Sequence, residues 1–201
     1  MSYLLLVLYY YFDPFECFVL LSNLIVTNKF MKAMYEFNMN KVYSYVRLFD
    51  LWMGEDNPKL SAFFEANSIN TMTFSVDWYY TLYSRAFDIQ LVRVVWDMFF
   101  LFGHEFPVRL GNSIITLLKD DMMTGYMNEG FNFLRCRTSK LQCKALLQTA
   151  FKPRFSREVV EEELQKFYEL EEAKVLARTN ARIAKEGKAS TTATRSMSVS
   201  K

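Results

Sequence analysis

Apolar residues fill the first half of the chain in stretches broken by single polar or turn-forming residues, not by strict alternation. Leu4 to Phe12 is one short apolar run, Phe15 to Val26 is another, and Asp13-Pro14 divides them. Asp13 reads as an N-cap with Pro14 at the first helical position, where the missing N–H costs nothing. Asp13-Pro14-Phe15 also matches a short motif read by endocytic adaptors, but in so apolar a setting the capping role is the stronger reading. The apolar run from Phe15 continues through Tyr35 and ends near Asn38 and Asn40. Tyr43 to Met53 predicts a further helix, closed by Gly54-Glu55-Asp56-Asn57-Pro58. Pro58 then opens a short helix through Phe64, and Asn67 to Thr71 forms a turn. Ser75 is the expected next N-cap, with Asp77 in a first turn whose dipole favours a carboxylate. Trp78 and Leu82 follow one turn apart on one face.

Asp88 caps the next predicted helix, and Gly103 is expected to end it in the left-handed conformation. Between them only Gln90, Arg93 and Asp97 are polar, spaced so that they form one narrow stripe. Arg93 and Asp97 stand four apart and can pair, which inside a bundle removes the penalty of two unpartnered charges. This helix is therefore expected at the centre of the fold. Phe106 to Asp120 and Met122 to Leu134 predict two more helices. From Ser156 to Ala184 the chain is charged, with acids gathered early and bases late, as a helix dipole favours. Val160, Leu164, Phe167 and Tyr168 give it a modest apolar stripe that fades after Val175. This predicts a helix that packs for a few turns and then projects into solvent. The organisation expected is a helical domain over 1–150, a charged helical extension over 151–188 and a disordered Ser/Thr-rich tail over 189–201.

Composition supports an all-α globular reading and removes several functions. Residues of hydrophobic type make up 51% of the chain, ample for a core, and the net charge is only +2. That balance offers no electrostatic footprint for nucleic acid or an anionic membrane surface. Cys17, Cys136 and Cys143 form no tight pair, and His104 is the only histidine, so a four-ligand zinc site with short spacings is not easily assembled. Three reduced thiols, with no metal and no cofactor, are expected. Neither N-terminal apolar run reaches the roughly 18–20 residues needed to cross a bilayer. No basic residue precedes them and no small-x-small cleavage site follows, so they do not read as a signal peptide or a transmembrane segment.

Val76-Asp77-Trp78-Tyr79-Tyr80-Thr81-Leu82-Tyr83-Ser84-Arg85 and Arg93-Val94-Val95-Trp96-Asp97-Met98-Phe99-Phe100-Leu101-Phe102-Gly103 together resemble the second half of a TBC domain. That domain is the helical module of GTPase-activating proteins for Rab GTPases. Pro58-Lys59-Leu60, Phe63-Phe64, Cys17-Phe18 and Asn23-Leu24 resemble its preceding segments in the same order, so that the likeness runs from Met1 to about Leu134. It marks Asp77, Trp78, Arg93, Trp96, Asp97 and Gly103 as signature residues of structural character. Trp78 and Trp96 read as core, whereas Trp52 is either core or a surface left bare. Arg85 either satisfies terminal carbonyls or faces a partner. Asp88 stands where the family usually has proline, an exchange that an N-cap tolerates.

Members of the family use an arginine finger from Ile-x-x-Asp-x-x-Arg and a glutamine finger from Tyr-x-Gln. Met1-Ser2-Tyr3 resembles the residues directly after the glutamine motif, which implies that the chain starts just past both fingers. Two residues before Gln90, Gln142, Gln148 and Gln165 stand Asp88, Lys140, Leu146 and Glu163, and none is tyrosine. No arginine fits the other pattern either, so the expectation is a partial Rab-GAP domain with no catalytic residue. By resemblance its partner is a Rab-type small GTPase and its place cytoplasmic or peripheral to endomembranes. The alternative is a non-enzymatic helical assembly protein reusing this lobe, with a membrane-associated protein further behind. Because Tyr3 to Phe12 is almost wholly apolar, self-association or a protein partner is expected at the N-terminal helix.

Overall fold

A computed structural model describes residues 2–36, 38–124, 141–151 and 157–198, with residue 157 and residues 184–198 described by backbone alone. Among these residues every regular element is a helix. The order is α1 (Ser2–Tyr9), α2 (Pro14–Thr27), α3 (Lys29–Tyr35), α4 (Met39–Asp56), α5 (Pro58–Ala66) and α6 (Met72–Thr81). Then come α7 (Ile89–Phe102), α8 (Phe106–Met123), α9 (Cys143–Ala150) and α10 (Arg157–Ser198).

Local chemistry sets most of the breaks. Asp13 accepts the N–H groups of Phe15 and Glu16, each at 2.9 Å, while Glu16 reaches back to the Asp13 N–H at 3.1 Å. This is a complete capping box with proline just inside it. The apolar run that continues to Tyr35 is cut at Asn28, whose side chain takes the N–H groups of Phe30 and Met31 and starts α3. The chain bends by 92° there, so α2 and α3 together have the length and composition of a membrane span, broken at that bend. No single described helix is long and apolar enough to cross a membrane. Asn57 ends α4 after Gly54, which lies inside that helix, and ties it to α8 through a 2.7 Å bond to Thr116.

Ser75 is not a cap. Asn70 accepts the Met72 N–H at 2.9 Å, so α6 starts a turn earlier and buries Ser75 in its interior. The helix ends at Leu82, which adopts the left-handed conformation (φ 43°, ψ 48°), and Tyr83 follows at φ 62°. Bonds from Tyr83 N–H to the Trp78 carbonyl and from Leu82 N–H to that of Tyr79 close the end. A leucine in this region costs roughly 1–2 kcal/mol that glycine would avoid. At the end of α7, Gly103 does take a positive φ of 82°, but its ψ of −156° places it outside the left-handed helical well. Only glycine enters that region readily.

The centre of the fold is α4, not α7. Helix α4 packs against α3, α5, α6, α8 and α10, and it buries Val42, Tyr45, Leu48, Phe49 and Trp52. Helix α7 lies to one side, packed chiefly on α8, and buries one face through Leu91, Val92, Val95, Trp96 and Phe99. Its opposite face is exposed, including the Arg93–Asp97 stripe that was expected to be interior. Apolar residues on all sides made the helix look central; the excess is surface. Where α4 crosses α8 the approach is close: a Cβ built on Gly111 would lie 2.8 Å from Tyr83 Oη and 3.0 Å from Phe49 Cε2.

Helix α10 seats Val160, Leu164 and Phe167 on the core and leaves Leu176 and Ile183 exposed. Its backbone stays helical to Ser198, across the stretch from Ala189 where composition predicts disorder. Most of the predicted helix Met122–Leu134 lies outside the described residues; Met122 itself is buried near the end of α8.

Candidate functional site

Of the signature residues, Trp78 of α6 and Trp96 of α7 meet the left-handed turn between those helices. Trp78 is buried against Phe74 and Tyr83, with ring centroids 5.0 and 5.7 Å away. Trp96 is also buried and donates its indole N–H to the Leu82 carbonyl at 3.0 Å. Tyr83 carries the connection onward by donating its hydroxyl to the Pro107 carbonyl at 2.6 Å. Both tryptophans therefore engage the one strained turn, and Tyr83 ties it to the start of α8. Trp52 is core as well, enclosed in α4 beneath the Arg109 guanidinium at 5.4 Å.

Arg85 bonds no terminal carbonyl. Its guanidinium donates to Asp77 at 2.7 Å and lies 5.7 Å from the centre of the Tyr3 ring. This links the turn after α6 to the start of α1. Both charged groups are about one-third exposed, so the pair adds at most about 1 kcal/mol. Arg93 and Asp97 do not pair with each other, and among the described residues neither side chain makes an ion pair or hydrogen bond. Arginine preceding aspartate by four is the poorer helical orientation. Both line a groove of about 860 Å³ between α7 and the α1–α2 pair, beside Trp96 and Phe100 and facing Leu8, Phe12 and Leu24. The groove wall is largely apolar and open, with Asn23, Thr27 and Asn28 as its other polar lining residues.

A second polar constellation had no signature in the sequence. His104 is buried, with Nδ1 3.2 Å from the Tyr45 hydroxyl and Nε2 3.5 Å from Glu161 of α10. Glu161 also accepts from Lys29 at 3.0 Å, and that bond holds its carboxyl below the usual range. Burial pushes the Tyr45 phenol well above its ordinary value. Tyr35, donating to the Tyr80 carbonyl at 2.6 Å, is pushed up to about 12 for the same reason. His104 and Glu161 are far apart in sequence, so no local spacing could have joined them. No cluster of three or more metal-ligating side chains occurs among the described residues. Cys17 and Cys143 are free thiols, while Cys136 lies outside the described residues.

Comparison with known proteins places this architecture. TBC1 domain family member 14 of Rattus norvegicus is 30% identical over 120 residues, 60% of this chain and 17% of that protein. TBC1 domain family member 12 of Xenopus tropicalis is 28% identical over 123 residues, again 61% of this chain and 18% of the relative. This chain thus aligns with under a fifth of the length of these relatives. Among solved structures, the crystal structure of the Chlamydomonas flagellar RabGAP TBC domain superposes with a TM-score of 0.59 at 24% identity. That superposition covers 69% of this chain and 46% of the crystallised one, and it establishes the all-α fold. The Rab-GTPase-TBC domain family matches residues 1–123, from the start of the described helices to the end of α8. With more than half of its residues in that match, the chain belongs to the Rab-GTPase-TBC domain family.

Proposed function

We infer that this stretch of chain acts in Rab-dependent vesicle traffic as a GTPase-binding lobe that does not itself accelerate GTP hydrolysis. The observation carrying this reading is a family match over residues 1–123 that contains neither finger motif. In phosphoryl transfer an arginine finger is worth on the order of 10³–10⁵ in rate, and the glutamine orients the attacking water. The residues that close the α6–α7 turn are committed to structure. Trp78, Trp96 and Tyr83 are enclosed, and Arg85 is engaged by Asp77. Arg85 is nevertheless a candidate to meet a partner, because it is partly exposed beside Tyr3. Binding to a Rab-type GTPase would fit a place in the cytoplasm, peripheral to endomembranes.

The partner assignment is tested by immobilising the chain and presenting a panel of Rab-type GTPases, each loaded with GDP or with a non-hydrolysable GTP analogue. The account expects at least one member to bind preferentially in the triphosphate form. Absence of binding by every member in both states contradicts it and leaves the assembly reading, which the exposed apolar surface of α1, α2 and α7 favours.

A further inference from the structure

We propose that the cleft between α3, α4 and α10 binds a phosphate group, whose place the Glu161 carboxylate of α10 takes in this structure. The inference stands independently of GTPase binding. The cleft has a volume of about 390 Å³, and its charged lining is Lys29, Lys32 and Lys41 against the one acid Glu161. Tyr45 and His104 also line it, and both are almost wholly buried, 5% and 4% exposed. One anionic group is already seated there. The Glu161 carboxylate lies 3.0 Å from the Lys29 ammonium and 3.5 Å from His104 Nε2. On its other side the His104 ring is held by the Tyr45 hydroxyl, 3.2 Å from Nδ1.

The donors outnumber what that carboxylate can use. Glu36 bonds Lys41 at 2.6 Å and Lys32 at 3.6 Å, and an ammonium has three donors, so each lysine keeps others for a ligand. A carboxylate offers two acceptor oxygens, whereas a phosphate monoester offers three and carries more negative charge. Lysine binds phosphate as a point charge and needs no planar match to it. Because α10 lies beyond the matched residues 1–123, the wall that closes this cleft is not part of the matched domain. An incoming phosphate competes with Glu161 for Lys29 and His104, so binding there loosens one of the ties between α10 and the body.

His104 is the only histidine in the chain, so its ring resonances report on this cleft alone. The test follows them by NMR at fixed pH as inorganic phosphate is added to the full chain. Wild type is expected to give a saturable shift. Glu161→Gln removes the competing carboxylate and is expected to bind phosphate at least about tenfold more tightly. Lys29→Gln added to that variant is expected to lose most of the gain. Lys32→Gln, which leaves the Lys29–Glu161 bond in place, is expected to weaken binding by the otherwise wild-type chain. Vesicles of phosphatidylcholine, plain or carrying a phosphatidylinositol phosphate, identify the source of the group. Capture by the second kind alone assigns a lipid headgroup, and a phosphate response without capture assigns a soluble phosphate monoester. No response in either wild type or Glu161→Gln overturns the proposal. So does a response that chloride at equal ionic strength reproduces, or one indifferent to all three exchanges.

Discussion

Trp96 joins two structural roles in one side chain, filling the space beneath α7 and satisfying the Leu82 carbonyl at the strained turn. Trp96→Ala is expected to lower stability by about 3–5 kcal/mol, read as a shift of the denaturant midpoint. A midpoint equal to wild type contradicts the enclosure. Gly111 carries a constraint of the opposite kind, since a methyl group there meets Tyr83 Oη and the Phe49 ring. Gly111→Ala is expected to cost about 1–3 kcal/mol by overpacking, although alanine is the better helix former. A stabilised variant would show that α4 and α8 can separate without penalty. Single residues were legible in the sequence where their chemistry is local. Asp13 and Asp88 cap as expected because their targets lie two and three residues away. Ser75, Arg85 and His104 depart from or escape the sequence reading because Asn70 supplied an earlier start, Asp77 a nearer partner and Glu161 a distant one.

Elements were legible in order more than in number or rank: the run from Phe15 to Tyr35 divides at Asn28, and α9 was not anticipated. Helix α7 is almost uniformly apolar in sequence, but among the described residues its outer face is exposed, while the more polar α4 is surrounded. Periodicity reports how much apolar surface a helix has, not whether another element covers it. Among the groups that hold α10 to the body are Val160, Leu164 and Phe167, with Glu161 bonded to Lys29 and Glu171 to Arg47. The hydrogen bond from Lys29 lowers the Glu161 carboxyl from its ordinary 4.5. The Glu171 carboxyl is also lowered, burial opposing the bonds from Lys174 and Arg47 that outweigh it. A carboxyl lowered on folding contributes stability above its unfolded pKa and loses it as pH falls through the folded value. Docking of α10 is therefore expected to weaken below about pH 4.5, by up to about 1 kcal/mol per pair for such surface contacts. In the body, Asp50 works with the opposite sign. Burial raises its carboxyl, so acid relieves a penalty there. Hydrogen exchange corrected for intrinsic rates should show residues 158–175 losing protection before α4 as pH is lowered. Simultaneous loss in both helices contradicts this.

At the scale of the whole molecule, the order and spacing of short motifs revealed the family, and the helices from α1 through α8 carry it. The open surface along α1, α2 and α7 was legible only in part. The N-terminal apolar run pointed to one side of it, and the exposed flank of α7 completes the other. These helices form a rigid scaffold whose signature tryptophans brace a turn and whose charged stripe faces outward. The central claim is that such a scaffold, without either finger, binds a GTPase and leaves its chemistry unchanged. Single-turnover phosphate release from a panel of Rab-type GTPases, with the purified chain in excess, tests it most directly. The account predicts rates equal to the intrinsic ones. A stimulation beyond about tenfold for any member would contradict it, because at least about 1.4 kcal/mol of barrier lowering would then come from residues that are enclosed, paired or structural.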